Sequence, residues 1–495
     1  MVLLQALELF DRVKAIFDAG GVLNPGVLVD PAPVDRDLRP GRVGPVREHL
    51  ALGHLPDGGD FAAAVHRCNG VGTCRADRVA EQGVMCPSFA ATRDEKDSTR
   101  GRARILQEML DGSLVRGGWR APEVHQALDL CLSCKACSSE CPTGVDLARY
   151  KAEVLYQAFR GRMRPRSHYS LGRLPAWARI VARAPHLANA LLQAPVLGSA
   201  SRWLAGVDGR RSLPRFAQES FRAWFESQPM TGGRPVLLWV DTFTDLFTPQ
   251  VGKAAVAVLR SAGYAVRIPS EPVCCGLTWI STGQLDGARR QLRRTVQVIR
   301  DEVAAGMPVI GLEPSCTGVL RSDLVELVDS PAAAQLARQT RTLAEILTET
   351  PGWQAPSLAG LEVVAQPHCH HSAVMGWQAD ADLLTQAEAR LLQLGGCCGL
   401  AGNFGVERGH YEVSQAIAEH ALLPAVRAAG VPAGLGAGSG AKPLLKADLA
   451  ADGWRGPAAV VLADGFSCRT QLDDLAGVPS LHLAELLARG LPEPR

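Results

Sequence analysis

The apolar positions of this chain change period along its length, and each change marks a boundary. Leu4, Leu7, Phe10, Val13 and Phe17 recur at helical spacing and stop at Gly20-Gly21, which predicts an amphipathic helix and then a turn at Leu23-Asn24-Pro25-Gly26. Residues 31–60 are rich in Pro, Gly, Arg and Asp without apolar periodicity and read as a linker. Helical spacing returns with Ile105, Leu106 and Met109, in a segment from Arg100 to about Leu110 that Ser98-Thr99 can cap. A further helix follows Pro142, with Asp146 in its first turn. Residues 161–233 form a helical connector that prolines at 164, 175, 185, 195 and 214 cut into short pieces. From 234 onward, apolar strands alternate with helices: PVLLWVDTF, a helix around 250–262, AVRIPS, a long helix, PVIGLEP. The order then repeats in LEVVAQPHC, a helix from about 405 to 427, and AAVVLADGF. Such alternation favours parallel α/β layers, here built twice. Residues 431–447, VPAGLGAGSGAKPLLKA, read as a flexible insertion in the second copy.

Composition mainly excludes. A length of 495 residues predicts several domains. A net charge of +2, with no basic stripe carrying interleaved aromatics, gives no case for nucleic acid. No run of about 18 apolar residues occurs and no secretory signal opens the chain, so the expected location is cytoplasmic. Basic, apolar segments such as Trp177 to Leu192 leave room for a peripheral place at the inner face of a membrane. Internal packing is the favoured reading of those segments. Fourteen cysteines in clusters argue for metal and redox chemistry in a reducing compartment rather than for disulfides.

The chemistry is densest at Cys131–Pro142, CLSCKACSSECP. Its C-x2-C-x2-C-x3-C-P spacing is the bacterial ferredoxin run, in which three close cysteines hold one iron-sulfur cluster and the fourth reaches a second. A zinc knuckle is the bland alternative, and this spacing suits tetrahedral zinc poorly. Upstream, RCNGVGTCRADRVAEQGVMCPSF supplies Cys68, Cys74 and Cys86-Pro87. In the same grammar the middle position falls on Val71, which cannot ligate iron. Exchange of the terminal cysteines assigns Cys131, Cys134, Cys137 and Cys86 to a 4Fe-4S cluster. Cys68, Cys74 and Cys141 remain for a second cluster, either 3Fe-4S or 4Fe-4S with a non-cysteine ligand. Arg93, Arg100, Arg102 and Arg104 read as a solvated face, the alternative being that one or two lie against the clusters.

Four resemblances extend this reading. The C-x5-C spacing around Val71 resembles the 3Fe-4S site of the succinate dehydrogenase iron-sulfur subunit. FDAGGVLNPG resembles the closing segment of the FAD-linked oxidase family, which implies a flavin module missing, truncated or carried on another polypeptide. MCPSFAATRDE and STRGRA resemble the iron-sulfur portion of flavin-fused D-2-hydroxyacid dehydrogenases. The two α/β copies resemble the CCG domain of heterodisulfide reductase and of the glycolate oxidase iron-sulfur subunit, over nearly all of 234–490. That resemblance implies a possible further centre from Cys274, Cys275 and Cys316 in one copy and Cys369, Cys397, Cys398 and Cys468 in the other. His368, His370 and His371 are candidates for a nitrogen ligand or a proton, although each alone reads better as a hydrogen-bonded structural group. Asp241 stands where the second copy has Cys369, which marks the first copy as a degenerate half.

The expected fold is therefore α+β and multidomain. It comprises a flavin-oxidase remnant over 1–30, the linker 31–60, a mostly helical two-cluster ferredoxin-like domain over 61–160, the connector 161–233, and CCG domains over 234–350 and 351–495. The leading functional expectation is an oxidoreductase: the electron-transfer segment of an FAD-dependent D-2-hydroxyacid dehydrogenase of D-lactate, glycolate or D-2-hydroxyglutarate type. Its expected partners are an FAD-binding domain or subunit and an acceptor that is a quinone, a cytochrome or a carrier protein. The competing expectations are a heterodisulfide reductase-like thiol-disulfide oxidoreductase and a non-catalytic zinc-bound interaction module.

Overall fold

The computed structural model describes residues 2–27, 29–33, 36, 43–229, 232–431, 449–450, 453–454 and 459–491, so the insertion expected over 431–447 lies outside the described residues but for Val431. The chain divides into two units, Met1–Gly44 and Pro45–Arg495. In the first, a helix spans Val2–Phe17 as its periodicity predicts. The Asp18 carboxylate then fixes the turn by accepting from the Val22 and Leu23 amides, each at 2.9 Å.

The second unit begins inside the stretch expected as a linker. Ala51, Leu52 and His54 are buried, and Glu153 accepts from the Ala51 and Leu52 amides at 2.9–3.1 Å. Richness in Pro and Gly here reports irregular backbone and not absence of packing. Asp60 caps the helix Phe61–His66. The helices Pro87–Thr92, Thr99–Asp111, Pro122–Asp129, Ala136–Glu140 and Leu147–Ala158 follow. Ser98 caps Thr99–Asp111 through the Gly101 amide at 2.9 Å, and Leu106 and Met109 of that helix point into the core. Asp146 is the cap of Leu147–Ala158 rather than a first-turn residue, because that helix starts five residues after Pro142.

In the connector, Pro175, Pro185 and Pro195 open the helices Leu174–Val181, Pro185–Gln193 and Pro195–Ala205, where a missing N–H leaves nothing unpaired. One face of it packs internally: Ala178, Ala188 and Phe216 join Leu246 and Phe247 in a small core. Arg211 is buried and donates to Gly405 O, Gln471 Oε1 and Ser414 Oγ, each at 2.7 Å. The other face leaves Ile180, Leu187, Val196 and Leu204 exposed. Among the described residues no helix is long and apolar enough to cross a membrane.

The repeated half contains two parallel sheets. The first holds β1 (Arg234–Trp239), β2 (Tyr264–Arg267), β3 (Val309–Gly311) and β4 (Thr340–Thr342) in the order β2-β1-β3-β4. The second holds β5 (Glu362–Ala365), β6 (Arg390–Gln393), β7 (Ala459–Leu462) and β8 (Ser480–Leu481). Its order, β8-β7-β5-β6, is the same winding read from the other edge. Strand order therefore reverses between β1 and β3, and again between β5 and β7. Crevices for ligands open at the carboxyl ends of strands flanking such a reversal. The helix expected over 405–427 is two, Tyr411–His420 and Leu422–Ala428, broken at Ala421 where φ is −143°. β4, β6 and β8 escape a periodicity reading because they are short and of mixed polarity, as in RLLQ of β6.

Burial also sets a pH dependence. His54 and His168 are enclosed, and burial pulls each down to about 4. They bind fewer protons folded than unfolded, so their contribution is complete above about pH 6.5 and is lost as pH falls towards 4. The thermal midpoint should drop between pH 7 and pH 5, and by less in a His54→Gln/His168→Gln variant. An equal drop in both proteins would contradict this assignment.

Candidate functional site

The Cys131–Cys137 loop turns on Ser133 and Lys135, both left-handed at φ of 55° and 61°. Cys86, Cys134 and Cys137 come close enough for their thiols to interact, and Cys131 adjoins Cys137. A second group forms from Cys68, with Cys74 and Cys141 beside it; Cys74 also neighbours Cys86. The two groups are thus adjacent. Main-chain amides point at the sulfurs: Leu147 N lies 3.4 Å from Cys137 Sγ, and Arg100 N lies 3.3 Å from Cys74 Sγ. Val71 is 63% exposed, on a loop turned by Gly70 and Gly72 with φ of 86° and 85°.

Arg102 departs from the solvated reading of the arginines. It is 1% exposed and donates to Ala127 O at 2.8 Å, to Ser88 Oγ at 2.9 Å and to Cys86 Sγ at 3.6 Å. Burial pushes the Cys86 thiol up, but the guanidinium and the Ser88 hydrogen bond outweigh it and hold the group below the ordinary range. A cation so placed favours extra negative charge at the sulfurs. Arg104, at 46% side-chain exposure, keeps to solvent and pairs with Glu108 at 2.9 Å.

The second α/β copy gathers Cys369 and Cys468, which follow β5 and β7, with Cys397 and Cys398. All four are buried in the same core as the ferredoxin-like cysteines. Cys369 and Cys134 are close enough to interact electrostatically, which links the two groups. In the first copy Cys275 Sγ and Cys316 Sγ are 3.0 Å apart with Cys274 adjoining, in a separate core. Both CCG turns have one geometry. Gly276 and Gly399 take φ of 77° and 88°, and their amides donate to Cys274 Sγ and Cys397 Sγ at 3.4 Å each. A Cβ on Gly399 would meet Ser414 O at 2.2 Å, so glycine is required there.

Asp241 is a structural cap in the first copy. It accepts from the Phe243 and Thr244 amides at 2.8 and 2.9 Å and from Thr244 Oγ1 at 2.6 Å, which occupies both carboxylate oxygens. Burial beside Glu313 raises it to about 6. Of the histidines, His370 Nε2 bonds Ser133 O at 2.9 Å, and His368 Nδ1 accepts from the His370 amide at 3.2 Å. These bonds fix both rings in orientation.

Residues that the motifs do not single out fasten the cysteine loop to the repeats. Lys135, inside the ferredoxin run, is 5% exposed, and its Nζ lies 2.7 Å from Asp323 Oδ1 and 3.9 Å from Asp146 Oδ2. Arg149 reaches Glu326 at 2.9 Å. The loop is thereby held to the first copy through Lys135 and to the second through Ser133 and His370. A cavity of about 1320 Å³ opens between the copies, lined by Cys274, Cys275 and Cys316 on one side and by His368, Cys369 and His370 on the other.

The donor set fits iron-sulfur clusters. Seven cysteines neighbour one another at the ferredoxin-like site, with the Leu147 and Arg100 amides and the buried Arg102 directed at their sulfurs. The second copy offers four more sulfurs. The first offers three, with its fourth position filled by the capped Asp241.

Comparison with known proteins finds two family models and several related polypeptides. Residues 64–145 match the 4Fe-4S dicluster domain and residues 240–321 match the cysteine-rich domain. D-2-hydroxyglutarate dehydrogenase of Pseudomonas putida KT2440 is 26% identical over 532 aligned residues, covering 96% of this chain and 48% of that protein. The glycolate oxidase iron-sulfur subunit of Escherichia coli K12 is 25% identical, covering 65% of this chain and 78% of that one. One subunit of the anaerobic glycerol-3-phosphate dehydrogenase of Escherichia coli K12 is 33% identical over 221 residues, 43% of this chain and 55% of that polypeptide. The chain thus carries a 4Fe-4S dicluster domain joined to a cysteine-rich domain, and it spans about half the length of the D-2-hydroxyglutarate dehydrogenases that it matches almost end to end.

Proposed function

We propose that this chain is the iron-sulfur, electron-transferring part of an FAD-linked D-2-hydroxyacid dehydrogenase, with the FAD on a domain or subunit outside this sequence. The observation that carries the reading is the single buried core shared by the dicluster cysteines and those of the second copy, where Cys134 and Cys369 are close enough to interact electrostatically. The near full-length match to dehydrogenases of twice this size supports it. The proposed ligands are Cys86, Cys131, Cys134 and Cys137 for a 4Fe-4S cluster, and Cys68, Cys74 and Cys141 for a second cluster. Cys369, Cys397, Cys398 and Cys468 hold a further centre, whereas Cys274, Cys275 and Cys316 form a reduced set. Bound clusters would supply one-electron relay chemistry, which side chains cannot provide.

The chain's own residues keep that series dry, in register and electrostatically balanced. The shared apolar core excludes water, Lys135 and His370 hold the loop against both copies, and Arg102 offsets thiolate charge. The acceptor is a quinone, a cytochrome or a carrier protein. We place the chain in the cytoplasm, with the exposed apolar face of the connector available to the inner surface of a membrane.

The test is reconstitution. The chain alone should reduce no dye with D-2-hydroxyacids, and adding its flavoprotein should start reduction. Turnover unaffected by the chain would contradict the reading. The Cys275–Cys316 contact favours a second reading, a heterodisulfide reductase-like thiol-disulfide oxidoreductase. That reading requires the reduced protein to cleave a mixed disulfide with no hydroxyacid present, and Cys397 or Cys398 to be essential. Val71→Cys should provide a fourth thiol beside Cys68, Cys74 and Cys141 and replace a three-iron EPR signal with a four-iron one. An unchanged low-temperature spectrum would contradict the ligand placement.

A further inference from the structure

At the seam between the two sheets lies a polar cluster that the cysteine chemistry leaves unused. His371 stands past the end of β5, Asp464 past the end of β7, and Asp380 on the helix Gln378–Gln386. All three are buried, at 3%, 8% and 1% exposure, and one donor atom from each falls within 4.8 Å of the others. His371 Nδ1 takes no hydrogen bond. His371 and Asp380 face each other, with His371 Nε2 3.3 Å from Asp380 Oδ2. Asp464 Oδ1 accepts from the Leu483 amide at 2.7 Å and lies 3.7 Å from His482 Nδ1. His482 is already committed, its Nδ1 accepting from the Ala484 amide at 3.0 Å and its Nε2 bonding Leu312 O at 3.1 Å.

His371 and Asp380 pair across 3.3 Å, Asp464 adds a second buried carboxylate to the same space, and His371 Nδ1 is left without a hydrogen bond. One imidazolium can balance only one of the two carboxylates, and a buried charge left over is costly, so one divalent cation among the three donors would balance both. We propose that His371, Asp380 and Asp464 bind a single zinc ion within the second copy, at its seam with the first. Imidazole with carboxylate oxygens is a donor set that zinc accepts, at about 2.0–2.2 Å. Donors at that radius in a tetrahedron stand roughly 3.3 Å apart, which is the separation His371 and Asp380 already have. Calcium and magnesium want six or more oxygens. Here a space of only about 10 Å³ adjoins the cluster, room for about one water as the fourth ligand. Gly311, Leu312 and Thr342 of the first copy close that space, so an ion here bears on both repeats.

The test uses the full chain, purified without oxygen, supplied with zinc and passed through weak chelator. About one zinc per chain should remain, and its X-ray absorption should show nitrogen and oxygen near 2.0 Å with no sulfur shell at about 2.3 Å. Asp380→Asn and Asp464→Asn should each lose the zinc while iron content stays unchanged. Absence of retained zinc, zinc in a sulfur environment, or zinc undiminished in both variants would overturn the proposal. The spectrum of the unsubstituted protein decides the matter if either variant fails to fold, and iron, measured on the same sample, reports separately on the clusters.

Discussion

Lys135→Met should destabilise the folded chain by about 3–5 kcal/mol, the scale for stripping one partner from a buried ion pair. The lysine is 5% exposed and sits 2.7 Å from an Asp323 that is 1% exposed, so its loss leaves a carboxylate in the interior. Arg149 Nε, 3.7 Å from the same oxygen, compensates only in part because it also serves Asp146 at 3.2 Å and Glu326 at 2.9 Å. A lowered thermal midpoint and faster proteolysis around residues 131–137 are the expected readouts. Lys135→Met/Asp323→Leu should recover most of the loss, since an apolar pair of similar volume replaces a buried ion pair at little cost. Equal stability of Lys135→Met and the parent would show that this bridge does not hold the loop.

Cys134→Ser should have the larger effect on chemistry. Its sulfur belongs to the proposed four-cysteine site and is also the one beside Cys369, so a harder oxygen there weakens the cluster and interrupts the series in one step. Iron content should fall by roughly half of that held by two clusters, and reduction of an acceptor should cease while reduction of the flavoprotein by substrate continues. Cys275→Ser, in the separate core of the first copy, should leave dicluster iron unchanged. Similar iron losses in the two variants would contradict the grouping.

Legibility follows the range of the interactions. The dicluster domain is legible in the CLSCKACSSECP spacing because three cysteines in one tight loop are a local property, whereas the place of Cys86 and Cys141 depends on a long-range exchange. The two copies are legible in PVLLWVDTF and LEVVAQPHC because strands buried on both faces read as continuous apolar runs. The strand-order reversals that place Cys316, Cys369 and Cys468 at crevices are only implied by the alternation. β6, reading RLLQ, carries no signal that separates it from a helix end. Asp241 reads as a lost ligand, and its capping of Thr242–Leu246 emerges only when the strand is seen to end at Trp239. Lys135 pairs with a residue 188 positions away, and the seam cluster unites His371, Asp380 and Asp464 from three elements. Arg102 reads as solvated on the habit of its residue type, yet a pocket of acceptors and a thiol outweighs that habit.

The most direct measurement is iron and acid-labile sulfide per chain, with low-temperature EPR, on protein purified without oxygen. The account predicts a brown protein with roughly seven or eight iron atoms in the dicluster region, and more if the second copy is filled. A colourless protein holding zinc at its cysteines and no iron would contradict it.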